Sequence, residues 1–204
     1  MEFVDESDIT IEKAIKKALN KLQIDINSAK YVIIKKDPIV VRVYKRTEEI
    51  EKIENFIKEL FQKLGTKGKF QIIPQDKNTI YINIKTTNLD SVLIGKDGKV
   101  LEELNYLLNI MLKNLLPKNL RFIFDINSYR KKREEYIVNK AIATAKLAIE
   151  NKLEYTLDPL KGYERKLVIE ALKNIKGIRI EKVGRGKNTK LVIVPDVKWY
   201  NCFN

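Results

Sequence analysis

Residues 92–114 read VLIGKDGKVLEELNYLLNIMLKN, and this stretch decides the fold. Gly95 and Gly98 bracket Lys96 and Asp97. From Lys99 onward Val100, Leu101, Leu104, Leu107, Leu108, Met111, Leu112 and Leu115 recur at three- and four-residue steps. That spacing predicts a helix with these residues on its buried face. A tight glycine loop therefore opens directly onto a helix. Two glycines three apart let the backbone bend sharply and approach a partner closely. The first helical turn adds unpaired N–H groups and a partial positive charge, which suit a phosphate. Lys96 and Lys99 supply two mobile cations beside those donors. A GxxG tetrapeptide alone is more often plain turn chemistry, so its surroundings carry the weight.

Working outward, a helix is predicted over Ile50 to Leu64, followed by strands Phe70 to Ile73 and Thr79 to Ile84. After the long helix comes a further strand, Leu120 to Ile126. Helix, strand, strand, GxxG between helices, strand is the order of a bacterial-type KH domain, and residues 48–127 resemble one. The resemblance implies that Gly95, Lys96, Asp97, Gly98 and Lys99 clamp the backbone of about four nucleotides of single-stranded nucleic acid. Ile80, Ile82 and Ile84 alternate with Thr79, Tyr81 and Asn83, so one strand face is core; Tyr81 on the other either stacks on a base or packs on a neighbour.

Before this unit, Thr10 is a fair N-cap for Ile11, Ala14, Ile15, Ala18, Leu19 and Leu22. Tyr31 to Lys35 and Ile39 to Val43 read as strands joined at Lys36-Asp37-Pro38. Residues 1–47 are thus expected to form a helix–hairpin satellite with its own small core, and nothing in it carries chemistry.

After the unit, Asn127-Ser128 caps a helix opening Tyr129-Arg130-Lys131-Lys132-Arg133-Glu134-Glu135 and burying Ile137, Ala141, Thr144, Ala145 and Ala148. Cations at a helix N-terminus oppose its dipole, so the cluster is either held for an anionic ligand or paired with Glu134 and Glu135. A second helix begins near Tyr163, with Gly177 after it. Strands Ile178 to Val183 and Leu191 to Val194 flank a basic tip, Gly184-Arg185-Gly186-Lys187-Asn188-Thr189.

Composition narrows the function. The formal charge of +13 is uneven: 10 basic against 9 acidic residues in 1–49, 12 against 9 in 50–127 and 18 against 9 in 128–204. Such a basic last third attracts polyanions, of which nucleic acid is the commonest in a cytoplasm. There is no histidine, which removes the commonest general base and metal ligand, and no carboxylate pair stands at ligand spacing. No enzymatic activity, cofactor or metal is expected. The single cysteine, Cys202, allows no internal disulfide and no cysteine zinc site. No apolar run reaches membrane-span length and the start MEFVDESDITIEK is too acidic for a secretory signal, so a cytoplasmic location without membrane insertion is expected.

The segments SYRKKREE, LDPLKGYERKLVIEAL and EKVGRGKNTKLVIVP resemble the R-three-H domain, a small single-stranded nucleic-acid-binding fold named for an arginine and a histidine four positions apart. Arg165 matches the arginine, and Ile169 stands at the histidine position. The resemblance implies phosphate contacts by Arg130, Arg133, Lys161, Arg165, Lys166, Arg185 and Lys187 across residues 128–204.

A helix–strand–strand module, a KH domain and an R-three-H domain in that order resemble the bacterial Jag family. The resemblance implies an α+β protein that binds single-stranded RNA, with single-stranded DNA as a second ligand. It further implies an RNA chaperone that pairs with a small KhpA-like KH protein, or with itself, through the KH domain and acts in cell elongation and envelope synthesis. The alternative is an adaptor in cell-shape control whose KH helix docks a partner. Three features depart from the family: Lys35-Lys36-Asp37-Pro38 replaces a glycine-containing stretch, Asp97 puts a carboxylate near the phosphate path, and Ile169 replaces the histidine.

Overall fold

The computed structural model describes residues 2–117, 119–186 and 189–196. Helices and sheets are mixed throughout, an α+β fold. The chain divides into two compact units, Met1–Tyr129 and Arg130–Asn204.

The first unit opens with a strand, β1 (Phe3–Ser7), where a helix and hairpin alone were expected. Helix α1 (Ile11–Leu22) and strands β2 (Ala29–Lys36) and β3 (Ile39–Lys45) follow, and the sheet order is β1-β3-β2, all antiparallel. The acids that disguised β1 are matched across the fold. Asp5 accepts from Arg42 Nε and Nη2, both at 2.6 Å, and Glu6 pairs with Lys21. Thr10 caps α1 by accepting from the Lys13 N–H.

Cross-strand partners share a face, so β3 divides its residues by parity. Val41 and Val43 pack on Ala14 and Ala18 of α1. Tyr44, with its partner Phe3 and with Val32, joins the core of the second sheet instead. The Tyr44 hydroxyl donates to the Ile72 carbonyl at 2.7 Å, and Arg42 Nη1 donates to the Pro74 carbonyl at 2.5 Å. Burial pushes the Tyr44 phenol above its ordinary pKa. Residues 1–47 thus have one core under α1 and also contribute their other sheet face to the next.

Helix α2 (Glu48–Lys63) carries Glu48, Glu49 and Glu51 in its first turn, where the helix dipole favours them, and buries Ile50, Ile53, Phe56, Ile57 and Phe61. Strands β4 (Gly68–Pro74) and β5 (Thr79–Thr86) form an antiparallel hairpin, and β6 (Arg121–Ile126) lies parallel beside β5, giving the order β4-β5-β6. Parallel pairing requires a crossover, here α3 (Asp90–Ile94), the glycine loop and α4 (Lys99–Leu115).

Helix α4 corrects the expected buried face. Leu101, Leu108 and Leu112 are buried, while Val100, Leu107, Met111 and Leu115 are 41%, 51%, 42% and 54% exposed, as are Tyr106 and Ile110 in similar degree. Apolar residues surround most of this helix, so periodicity alone does not choose the line that meets the sheet. Two polar residues mark that line. Asn109 Nδ2 donates to the Phe122 carbonyl at 2.7 Å while its Oδ1 accepts from the Phe122 N–H at 3.1 Å, and Asn105 Oδ1 accepts from the Phe124 N–H at 2.9 Å. These amides satisfy the outer edge of β6.

The second unit contains nearly all of α5 (Tyr129–Asn151), then β7 (Tyr155–Thr156), α6 (Gly162–Leu172), β8 (Ile178–Val183) and β9 (Lys190–Pro195), with sheet order β7-β9-β8. Its core gathers Ile137, Ala141, Ala145 and Ala148 of α5 with Val168, Leu172, Leu191 and Ile193. Thr144 turns aside from that core and donates to the Lys140 carbonyl at 2.9 Å. Asn127 and Ser128, read as caps of α5, form a left-handed turn with φ of 50° and 55°. Asn83 holds the turn, accepting from the Ser128 N–H at 3.0 Å and donating to its hydroxyl at 3.1 Å.

Candidate nucleic-acid interface

The glycine loop is a single 3-10 turn, Lys96–Gly98, between α3 and α4. Gly95 sits at φ 67°, ψ −178°, a region essentially restricted to glycine. Gly98 is left-handed at φ 73° and begins α4 with no side-chain cap on the helix. Lys96, Asp97 and Lys99 are exposed around this turn, whereas Gly98 is buried. The arrangement offers first-turn N–H groups and two lysines on one short loop.

Asp97 has φ 53° and ψ 26°, a left-handed conformation that aspartate and asparagine tolerate better than longer side chains. Changing it to lysine therefore adds backbone strain as well as charge. Asp97→Asn keeps the turn and removes the negative charge, and is expected to strengthen binding of single-stranded RNA by the full-length protein about two- to fivefold, the value of a screened surface charge. Unchanged affinity in a fluorescence titration would place the loop away from phosphate. Tyr81 is engaged within the fold: its hydroxyl donates to the buried Asp125 carboxylate at 2.6 Å.

The basic residues of the second unit fall into distinct places. Arg133 and Glu164 form an ion pair, Nε to Oε1 at 3.0 Å, with side chains 15% and 1% exposed. The second oxygen of Glu164 accepts the Lys161 N–H at 2.8 Å and so caps α6. Arg165 Nη1 donates to the Leu160 carbonyl at 2.8 Å. Arg133, Lys161 and Arg165 are thus brought together around the start of α6, with Lys166 exposed next in the chain. Arg130 is half-buried at the start of α5, and Arg185 is exposed at the β8–β9 tip. Lys187 lies outside the described residues. Ile169 is partly buried against the second core, so packing occupies the position where the resemblance expects a histidine.

Sequence reasoning missed Glu164, because an acid in the first turn of a helix reads as ordinary dipole complementarity. It also missed Lys140, which pairs with Asp158 in the segment before α6. The hydrogen bond between them holds the Asp158 carboxyl below and the Lys140 ammonium above their usual values.

The chain aligns with a protein named RNA-binding protein KhpB from Clostridium symbiosum at 25% identity over 187 residues, covering 86% of this chain and 84% of that one. A protein of the same name from Bacillus subtilis (strain 168) is 24% identical over 197 residues, 90% of this chain and 93% of the relative. The chain is a homologue of the KhpB proteins. The KhpB of Lactiplantibacillus plantarum is 27% identical over a shorter span, 55% of this chain and 34% of its own length. No protein-family profile matches the chain. With the Bacillus and Clostridium KhpB proteins the similarity extends along most of both chains, well beyond a GxxG tetrapeptide. Among the described residues no helix is long and apolar enough to cross a membrane, and no group of acids or cysteine is placed to hold a metal ion.

Proposed function

We propose that this protein binds RNA, as the name of its KhpB relatives says of them, and that it takes the RNA as a single strand. The observation that carries the reading is the glycine turn opening onto the uncapped start of α4, flanked by Lys96 and Lys99. Three modules divide the work: 1–47 supports the KH unit, 48–127 presents the loop, and 128–204 adds charge through Lys161, Arg165, Lys166 and Arg185. The protein acts without chemistry, as an RNA chaperone in the cytoplasm, and by family resemblance in control of cell elongation and envelope synthesis.

The exposed apolar line Val100, Leu107, Met111 and Leu115 of α4 favours a partner on the same unit. By resemblance that partner is a small KhpA-like KH protein, with self-association as the alternative. An adaptor role alone, with RNA binding vestigial, is the second reading that this face supports.

Salt titration separates the two. Each phosphate neutralised by lysine or arginine is expected to contribute about −0.7 to the slope of log affinity against log salt for a single strand. Three or more such contacts give a slope steeper than about −2. A slope near zero, or no RNA bound at low salt, favours the adaptor.

A further inference from the structure

The long helix of the second unit carries a residue that the basic sites above do not include. Lys132, Tyr136 and Lys140 stand four apart on α5, one residue round the helix from the buried line Ile137, Ala141 and Ala145. Tyr136 is 57% exposed, although its neighbour in sequence is core.

Its position along the helix is fixed at both ends. One turn before it Arg133 is tied to Glu164, and one turn after it Lys140 is tied to Asp158. Asp158 precedes α6 and Glu164 stands in its first turn, so residues 158–164 run beside residues 133–140 of α5 with Tyr136 between the two ties. That segment carries Lys161 and leads to Arg165. Lys140 Nζ lies 5.9 Å from the centre of the Tyr136 ring, which keeps a cation at the ring's border.

We infer that Tyr136 is a base-stacking platform, lying beside the cations that follow the sugar–phosphate backbone. A flat ring in a basic seam is the usual way a protein holds unpaired nucleotides without reading their sequence, and every base offers a face to it. A tyrosine on a long helix anchored at two points loses little freedom when a base settles on it. The inference rests on the RNA-binding reading and adds a residue that recognises bases where the others recognise charge.

The test uses the full-length protein and two labelled strands of equal length, oligoadenylate and an abasic strand with the same phosphates. Tyr136→Ala is expected to weaken oligoadenylate binding about tenfold and to leave abasic binding within about twofold, while Tyr136→Phe keeps both, since stacking needs the ring and not the hydroxyl. Lys161→Ala should weaken the two strands alike. If Tyr136→Ala lowers both affinities equally, or neither, with an unchanged melting temperature, the ring is not a platform. Failure of the unmodified protein to hold either strand removes the RNA-binding reading and this inference together, whereas firm binding with equal losses removes the inference alone.

Discussion

Glu164→Ala is expected to lower the melting temperature by about 12–40 °C, among the largest losses from a single substitution outside the hydrophobic cores. Glu164 is almost fully buried, and one carboxylate serves two purposes, pairing with Arg133 and accepting the Lys161 N–H at the start of α6. Removing one member of a buried pair costs about 3 to 5 kcal/mol, because the remaining charge stays desolvated without its partner. In a unit of this size each kcal/mol moves the midpoint by roughly 4 to 8 °C. Glu164→Gln keeps an acceptor for the cap and should lose less. Replacing both partners, Arg133→Met with Glu164→Leu, should recover part of the loss, since no unpaired charge is then left inside. A midpoint for Glu164→Ala within a degree or two of the parent would show that the pair is not structural. The same result bears on Arg133 as a phosphate ligand: reduced RNA affinity in an Arg133 variant must be read against its melting curve first.

The second large effect lies in the glycine loop. A Cβ on Gly95 would stand 2.3 Å from Val100 Cγ2, and one on Gly98 would stand 2.6 Å from the Tyr129 ring. Both residues also have positive φ, 67° and 73°. Gly98→Ala combines about 1 to 2 kcal/mol of left-handed strain with about 1 to 3 kcal/mol of overpacking. Gly95→Ala should cost at least as much, since its φ and ψ lie in a region that only glycine readily adopts. Each substitution is therefore expected to destabilise the first unit by about 2 to 5 kcal/mol with no RNA present, measured as a shift in denaturant midpoint at constant slope. If either variant melts like the parent, the loop relaxes freely and its glycines are kept for a ligand's approach. Should both lose stability as expected, lost binding in them says nothing about phosphate contact, and Asp97→Asn becomes the cleaner probe.

The order of helices and strands around the loop was legible because each carries a strong local signal. Alternating Ile80, Ile82 and Ile84 define β5, and the acidic first turn defines α2. What was not legible depends on partners distant in sequence. β1 reads as an acidic terminus until Arg42 and Lys21 are placed opposite Asp5 and Glu6. The buried line of α4 was misread because Leu107 and Met111 are as apolar as Leu108 and Leu112, and only the sheet distinguishes them. Of the candidate ligands in the second unit, Arg133 shows the limit most plainly. A run of four cations reads as a binding face, and the pairing of its last member is recognised only when Glu164, 31 residues later, is seen against it.

Asn105 and Asn109 have a consequence for assembly. An amide that donates to one carbonyl and accepts from the N–H of the same residue does for Phe122 what a neighbouring strand would do, so the β6 border behaves as if already occupied. Another polypeptide cannot lengthen this sheet through Phe122 and Phe124 without first expelling two side chains whose replacements must restore every hydrogen bond. Growth by strand addition is closed on that side, and a protein joining this unit there must dock by side-chain packing on the helices.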